Sequence, residues 1–150
     1  MEVRLAASGD TDRIRDIARR AYEKYVPRIG REPAPMVADF DTHMDRDELS
    51  VAVKSDTVIG FIVAYPREDD YFVENVAVDP GVMGAGVGKA LMAHAEAEAR
   101  KHGREAIRLY TNVHMHENFP FYAALGYRRT HEVTEAGFRR VYFEKELEQT

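Results

Sequence analysis

The spacing of apolar positions along this chain changes several times, and each change marks an element. Residues 3–6 alternate and predict a short first strand. After the turn-forming Ser8-Gly9-Asp10-Thr11, the residues Ile14, Ile17, Ala18, Ala21, Tyr22 and Tyr25 recur at helical spacing, so an amphipathic helix is expected to about Val26. Residues 27–35 are punctuated by proline and glycine and read as a loop. Met36, Phe40 and Met44 predict a second, short helix ending near residues 45–47. Two β-rich runs, 49–54 and 57–65, flank Ser55-Asp56 and read as a hairpin. A polar turn over 66–70 leads to a strand over 71–78. Beyond a glycine-rich stretch, residues 87–102 return to helical spacing, with Val87, Leu91, Ala95 and Ala99 on one side and Gly103 as the stop. Residues 106–111 form another strand, 118–125 a short helix ended by Gly126, and 127–133 with 138–145 a closing hairpin around Glu135-Ala136-Gly137.

The order of these elements restricts the topology. Strands joined by tight turns up to residue 78 imply an antiparallel meander. The strand–loop–helix–strand run from 71 to 111 is a crossover, so its two strands should be parallel. The expected architecture is a single domain over residues 1–150 of the α+β class, arranged as an α/β three-layer. Its sheet is mixed and mostly antiparallel, with one central parallel pair, flanked by helices. A chain of 150 residues is long enough for such a domain to bury a core.

Composition narrows the function classes. The chain has no cysteine, which rules out disulfides, thiolate metal sites and a cysteine nucleophile. No apolar run approaches the length of a membrane span. The start, Met-Glu-Val-Arg, lacks the apolar core of a signal peptide. A cytoplasmic protein without membrane association is therefore expected. With 26 acids, 21 bases and no basic block, binding to nucleic acid is not expected. His114-x-His116 lacks a third ligand at plausible spacing, so no metal is expected. His43, His94, His102 and His131 read as surface or helix-flank residues.

The chemistry concentrates in residues 76–90, Val-Ala-Val-Asp-Pro-Gly-Val-Met-Gly-Ala-Gly-Val-Gly-Lys-Ala. A strand enters a glycine-rich turn that opens a helix. The first helical turn carries free N–H groups and the positive end of the helix dipole, and glycines let the backbone approach a ligand closely. Together they make a phosphate cradle. It is not a P-loop, because Lys89 is followed by Ala90, and the spacing Gly84-x-Gly86-x-Gly88 departs from the dinucleotide fingerprint. The stretch resembles the acyl-CoA loop of the GNAT superfamily of N-acetyltransferases, Arg/Gln-x-x-Gly-x-Gly/Ala. Met83 stands where that family usually has Arg or Gln, which removes one side-chain contact. A second landmark follows at His116-Glu117-Asn118-Phe119-Pro120-Phe121-Tyr122-Ala123-Ala124-Leu125-Gly126-Tyr127. It is similar to the family segment Glu-Asn-x-x-Phe/Leu-Tyr-x-x-Leu-Gly-Phe/Tyr. With the element order, the resemblance spans essentially the whole chain.

The resemblance implies an acetyl-CoA-dependent N-acetyltransferase with direct transfer in a ternary complex. Acetyl-CoA is then a cosubstrate, no metal is used, and the acceptor is an amine on a small molecule, a protein or a peptide. A homodimer is a family-level expectation. Backbone groups of Val76, Ala77 and Val78 would bind the acetyl oxygen and the pantetheine arm. Met83, Gly84, Ala85, Gly86, Val87, Gly88 and Lys89 would hold the pyrophosphate. Asn118 would contact the CoA arm or cap its own helix. Tyr122 would sit at the CoA sulfur as the acid, against the alternative of a buried core aromatic. Glu74 is the candidate base and acceptor contact, because it interrupts an otherwise apolar strand. A solvated or ion-paired Glu74, with His114, His116 or water as base, is the alternative. Tyr25, Arg28 and Arg31 are candidate acceptor contacts. Other functional readings are a silent acyl-CoA sensor or binding module, and a transferase using another acyl-CoA or an O-acceptor.

Overall fold

The computed structural model describes residues 1–148. The strands are β1 (Glu2–Leu5), β2 (Leu49–Lys54), β3 (Thr57–Pro66), β4 (Tyr71–Val78), β5 (Ala106–Asn112), β6 (Arg128–Glu135) and β7 (Phe138–Glu146). They form one sheet in the order β1-β2-β3-β4-β5-β7-β6. The parallel pair is β4 with β5, in the register Tyr71↔Ile107, Phe72↔Arg108, Val73↔Leu109. β1–β2, β2–β3, β5–β7 and β6–β7 pair antiparallel. This is the mixed, mostly antiparallel sheet expected from the element order. The hairpins are set by two-residue turns with left-handed backbone. Ser55 and Asp56 have φ of 50° and 62°, and Ala136 and Gly137 have φ of 51° and 78°.

The helices are α1 (Thr11–Tyr22), α2 (Val26–Ile29), α3 (Phe40–Asp45), α4 (Val87–Lys101) and α5 (Asn118–Ala124). The chain divides into two compact units. One comprises Met1–Ala64 with Glu74–Ala95, the other Tyr65–Val73 with the described residues from Glu96 onward. In the first, Ile14 and Ile17 of α1, Phe40 of α3, Phe61 of β3, and Leu91 and Met92 of α4 are fully buried or nearly so. Phe40 and Phe61 meet edge to face at 5.3 Å. In the second, Ile107, Leu109, Val141 and Phe143 are buried, with Tyr122 5.6 Å from Phe143.

Two stretches differ from the sequence reading. The first helix does not run on to Val26. A 3-10 turn (Glu23–Tyr25) follows α1, and α2 then takes in Pro27, Arg28 and Ile29, which the proline and glycine content assigns to a loop. Proline is tolerated in a first helical turn, where no N–H is required. Gly30, at φ 91°, ends α2, and its N–H bonds the Val26 carbonyl at 2.8 Å. Met36 belongs to a separate 3-10 turn (Ala34–Val37) rather than to the helix with Phe40 and Met44. Asp39 makes the break: its side chain caps α3 by accepting from the Thr42 N–H at 3.1 Å. The remaining elements begin and end within a residue or two of expectation, as cap geometry allows.

Candidate active site

β4 delivers its residues to two environments. Val73, Asn75 and Ala77 are buried, whereas Glu74, Val76 and Val78 are partly exposed, so Glu74 shares the more open face with Val76 and Val78. Asn75 is structural, as its position on the other face suggests: its Nδ2 donates to the Pro35 carbonyl at 2.9 Å. The Tyr22 hydroxyl lies 2.8 Å from Asn75 Oδ1 and 2.9 Å from the Val76 carbonyl oxygen, two acceptors for one proton. The Val76 carbonyl thus competes with Asn75 for the one proton of Tyr22.

Asp79 fixes where the glycine loop leaves the sheet. Its N–H bonds the Ile59 carbonyl at 2.8 Å, and its Oδ1 accepts from the Gly81 N–H at 2.9 Å. Arg13 of α1 pairs with Asp79 and also donates from Nε to the Val58 carbonyl at 2.9 Å, while Arg20 approaches Asp79 at 3.1 Å. The Gly81 amide and then the Arg13 guanidinium hold the Asp79 carboxyl below the usual carboxylate range against the effect of burial. Beyond this anchor the loop is exposed. Gly84 and Gly86 take φ of 88° and 78°, and a Cβ built on either meets nothing within 4 Å. The backbone is therefore bare and open on its outer side. Met83 is 68% exposed. The Ala90 N–H bonds the Gly86 carbonyl at 3.0 Å, which closes the first turn of α4. By helix geometry, the N–H groups of Val87, Gly88 and Lys89 then have no intrahelical acceptor.

Gly60 of β3 sets how closely this first turn approaches the sheet, and the periodicity gives no hint of it. A Cβ there would lie 3.0 Å from the Ala77 carbonyl oxygen, 3.0 Å from Val87 Cγ1 and 3.2 Å from Leu91 Cδ1. A glycine inside a strand pattern is the available signal for such close approach.

His43 is not the surface residue its helix-flank position suggests. Its side chain is only 13% exposed, with Nδ1 2.8 Å from Glu48 Oε1 and Nε2 2.7 Å from Glu74 Oε2. His94 is half-buried as well, its Nε2 3.5 Å from Ser50 Oγ. Tyr25 is buried, its ring covered by Lys24 and Arg28 at 5.0 and 5.2 Å from the centroid. Arg31 is exposed.

In the second unit, Tyr122 is buried on α5, its ring against Phe121, Tyr127 and Phe143. Asn118 is the first residue inside α5 and not its cap. Its Nδ2 lies 3.4 Å from Thr111 Oγ1. Gly126, at φ 92°, ends the segment, and the Tyr127 N–H returns to the Tyr122 carbonyl at 3.0 Å. The Tyr127 hydroxyl donates to Glu96 at 2.9 Å, and burial, then Glu96, pushes this phenol strongly up. The His114 N–H bonds Asn112 Oδ1 at 2.9 Å, and His116 is exposed, 3.3 Å from Glu117. Among the described residues no group of three or more His, Asp or Glu is arranged to hold a metal ion, and no helix is long and apolar enough to cross a membrane.

A sequence profile described as the acetyltransferase (GNAT) family matches residues 11–127. The aminoalkylphosphonate N-acetyltransferase of Salmonella typhimurium is 36% identical over 59 residues, which is 39% of this chain and only 38% of that relative's length. Solved structures share the fold nearly end to end. Ard1 from Thermoplasma volcanium superposes with a TM-score of 0.81 at 20% identity, covering 99% of this chain and 98% of its own. The PaiA N-acetyltransferase of Thermoplasma acidophilum, in complex with coenzyme A, gives 0.77 at 18% identity, covering 97% and 98%. An aminoglycoside 6'-N-acetyltransferase complexed with coenzyme A gives 0.75 at 17% identity, covering 97% of each chain.

Proposed function

The chain belongs to the acetyltransferase (GNAT) family, and from that premise we propose that it is an acetyl-CoA-dependent N-acetyltransferase working as one catalytic domain. The observation that carries the reading is the glycine loop. Gly84 and Gly86 expose backbone with open space where a side chain would stand, next to the first-turn amides of α4. That arrangement suits a pyrophosphate. Gly84, Ala85, Gly86, Val87, Gly88 and Lys89 contribute backbone amides, and Met83 contributes no charge. Val76, Ala77 and Val78 offer backbone groups to the pantetheine arm and the acetyl oxygen, and Asn118 contacts the arm.

Transfer is direct. The amine nitrogen attacks the thioester carbon, a C–N bond forms and the C–S bond breaks. A Lys-like amine, with a pKa of about 10.4, must first lose its proton. Glu74 takes it, directly or through water, and Tyr122 returns a proton to the leaving thiolate. Tyr25, Arg28 and Arg31 belong to the acceptor side. Arg28 and Arg31 give that side positive charge, and the relative in Salmonella is named for an acceptor that carries a phosphonate. Aminoalkylphosphonates therefore come first in an acceptor panel.

The second reading, a silent acyl-CoA-binding protein, draws on Met83, whose exposed side chain offers no charge to a phosphate. Thiol release from acetyl-CoA, followed across small amines, aminoalkylphosphonates and peptide N-termini, separates the two. Turnover with at least one amine is expected. Tight CoA binding with no turnover across the panel favours the silent protein.

A further inference from the structure

We propose that His43 is a positioning residue that ties Glu74 to a second carboxylate, Glu48, so that the proposed base acts as one end of a Glu74–His43–Glu48 chain. The inference rests on the reading of Glu74 as the base and adds two residues to it. The geometry is a bridge between two acids: Nε2 of the ring lies 2.7 Å from Glu74 Oε2, and Nδ1 lies 2.8 Å from Glu48 Oε1. All three side chains are largely withdrawn from solvent, at 13% exposure for His43, 17% for Glu48 and 29% for Glu74.

The bridge is held by backbone as well as by side chains. His43 lies in α3, and Glu48 immediately precedes β2. The Glu48 N–H bonds the His43 carbonyl at 2.9 Å, and the Glu48 carbonyl accepts from the Ala64 N–H at 2.9 Å. Asp47, with φ of 57°, makes the tight connection that brings Glu48 back beneath its own histidine. Glu48 is therefore fixed to β3 and to α3, and through it His43 is fixed against β4.

Proton inventory gives the chain its chemical meaning. An ionised carboxylate only accepts, and a neutral imidazole has one N–H. A neutral ring between two ionised carboxylates would set a nitrogen lone pair against an oxygen lone pair at hydrogen-bond distance. Both short contacts are satisfied when the three groups share one additional proton, either as imidazolium between two carboxylates or as a neutral ring with one carboxylic acid. The trio then carries a net charge of −1. Uptake of the amine's proton by Glu74 brings it to zero, and that proton leaves afterwards to solvent. His43 keeps one oxygen of Glu74 engaged throughout and so restricts the orientation of the carboxylate. A change at any one of the three therefore reaches the other two through these contacts.

The test combines kinetics with the ring nitrogens themselves. His43→Gln keeps an amide donor for Glu74 but cannot share a proton between two acids. It should lower kcat about tenfold or more, below the 10²–10⁴-fold typical of the base itself, with the KM for acetyl-CoA unchanged and the pH profile of kcat displaced. Glu48→Gln keeps an acceptor for Nδ1 but cannot share the added proton, so it should displace the pH profile and lower kcat by less than His43→Gln does. In nitrogen NMR of the intact protein, Glu74→Gln should move the His43 Nε2 resonance more than Nδ1, and Glu48→Gln the reverse. If Glu74→Gln is impaired while His43→Gln keeps the wild-type kcat and pH profile, the inference is overturned and the function stands. If the wild type turns over no amine, the function fails, and the ring-nitrogen responses alone decide the bridge. Resonances indifferent to both substitutions refute it. Should His43→Gln fail to fold, the Glu48→Gln profile and the wild-type spectra decide.

Discussion

Gly60 offers the most quantitative test of how the glycine loop is positioned. Replacing it with alanine places a methyl group 3.0 Å from the Ala77 carbonyl oxygen and from Val87 Cγ1, and 3.2 Å from Leu91 Cδ1. Real Cβ contacts are rarely so short, so something must give. The Ala77 carbonyl is backbone and cannot rotate away. Val87 is β-branched at the start of a helix, where χ1 is stiff. Only Leu91 can withdraw by side-chain motion alone. Overpacking of this kind costs about 1–3 kcal/mol. Alanine recovers about 0.5–1 kcal/mol in a strand interior by restricting the unfolded chain. With only one of the three neighbours able to yield, Gly60→Ala should destabilise by up to about 2.5 kcal/mol, or up to roughly 10 °C in Tm for a chain of this size. The cheapest relief is to lift the first turn of α4 off β3 by a few tenths of an ångström. That moves the Val87, Gly88 and Lys89 amides together, so the KM for acetyl-CoA should rise severalfold. Thermal melting and acetyl-CoA titration of the same preparation measure both effects, and Gly9→Ala, whose Cβ meets nothing within 4 Å, serves as control. A Gly60→Ala protein with wild-type Tm and KM would refute the argument that this glycine sets the approach of the helix to the sheet.

Gly86→Val puts a β-branched residue at φ 78°, a strain of about 1–2 kcal/mol, while its Cβ meets nothing within 4 Å. The acetyl-CoA KM should therefore climb well beyond any loss of stability, and an unchanged KM would take the loop out of the site. Glu74→Gln should lower kcat within the 10²–10⁴-fold range of general acid–base groups, with partial rescue at high pH, where the amine deprotonates unaided. Tyr122→Phe should fall at the small end of that range, because a thiolate is a tolerable leaving group, and a normal kcat for Glu74→Gln at neutral pH would pass the base to another group. Asp79 is held below its unfolded value of about 3.9. The unfolded chain then binds more protons in that window, so the stabilisation is full above about pH 5 and is lost as pH falls through the folded value. Asp79→Asn should flatten the acid limb of the urea midpoint against pH, whereas a curve parallel to wild type would mean that the Gly81 amide and the Arg13 and Arg20 contacts together only offset the effect of burial.

What was legible in the sequence was whatever depends on local period and on glycine. The change from period two to glycine to period 3.6 placed β4, the loop and α4 within a residue of where they lie, because each signal is local to the element that it marks. The crossover fixed β4 parallel to β5 for the same reason. Pro27 was misread because proline breaks a helix interior but is welcome in a first turn, and composition alone does not say which position it holds. His43 fails differently. On its own helix it is a polar residue beside an apolar stripe, and its meaning lies in Glu48, supplied by a sharp turn, and Glu74, supplied by a different strand. Period says which face of an element is buried, whereas the register between elements decides which polar group meets which. Asp79 lies between these cases. Its cap on Gly81 is local, but the choice of Arg13 and Arg20 belongs to the docking of α1. Those two arginines lie with Asp16 along one flank of that helix, and Arg20 and Asp16 come within 3.8 Å. That charged row borders the buried stripe of the helix, and only the docking of α1 shows that a buried acid lies opposite it.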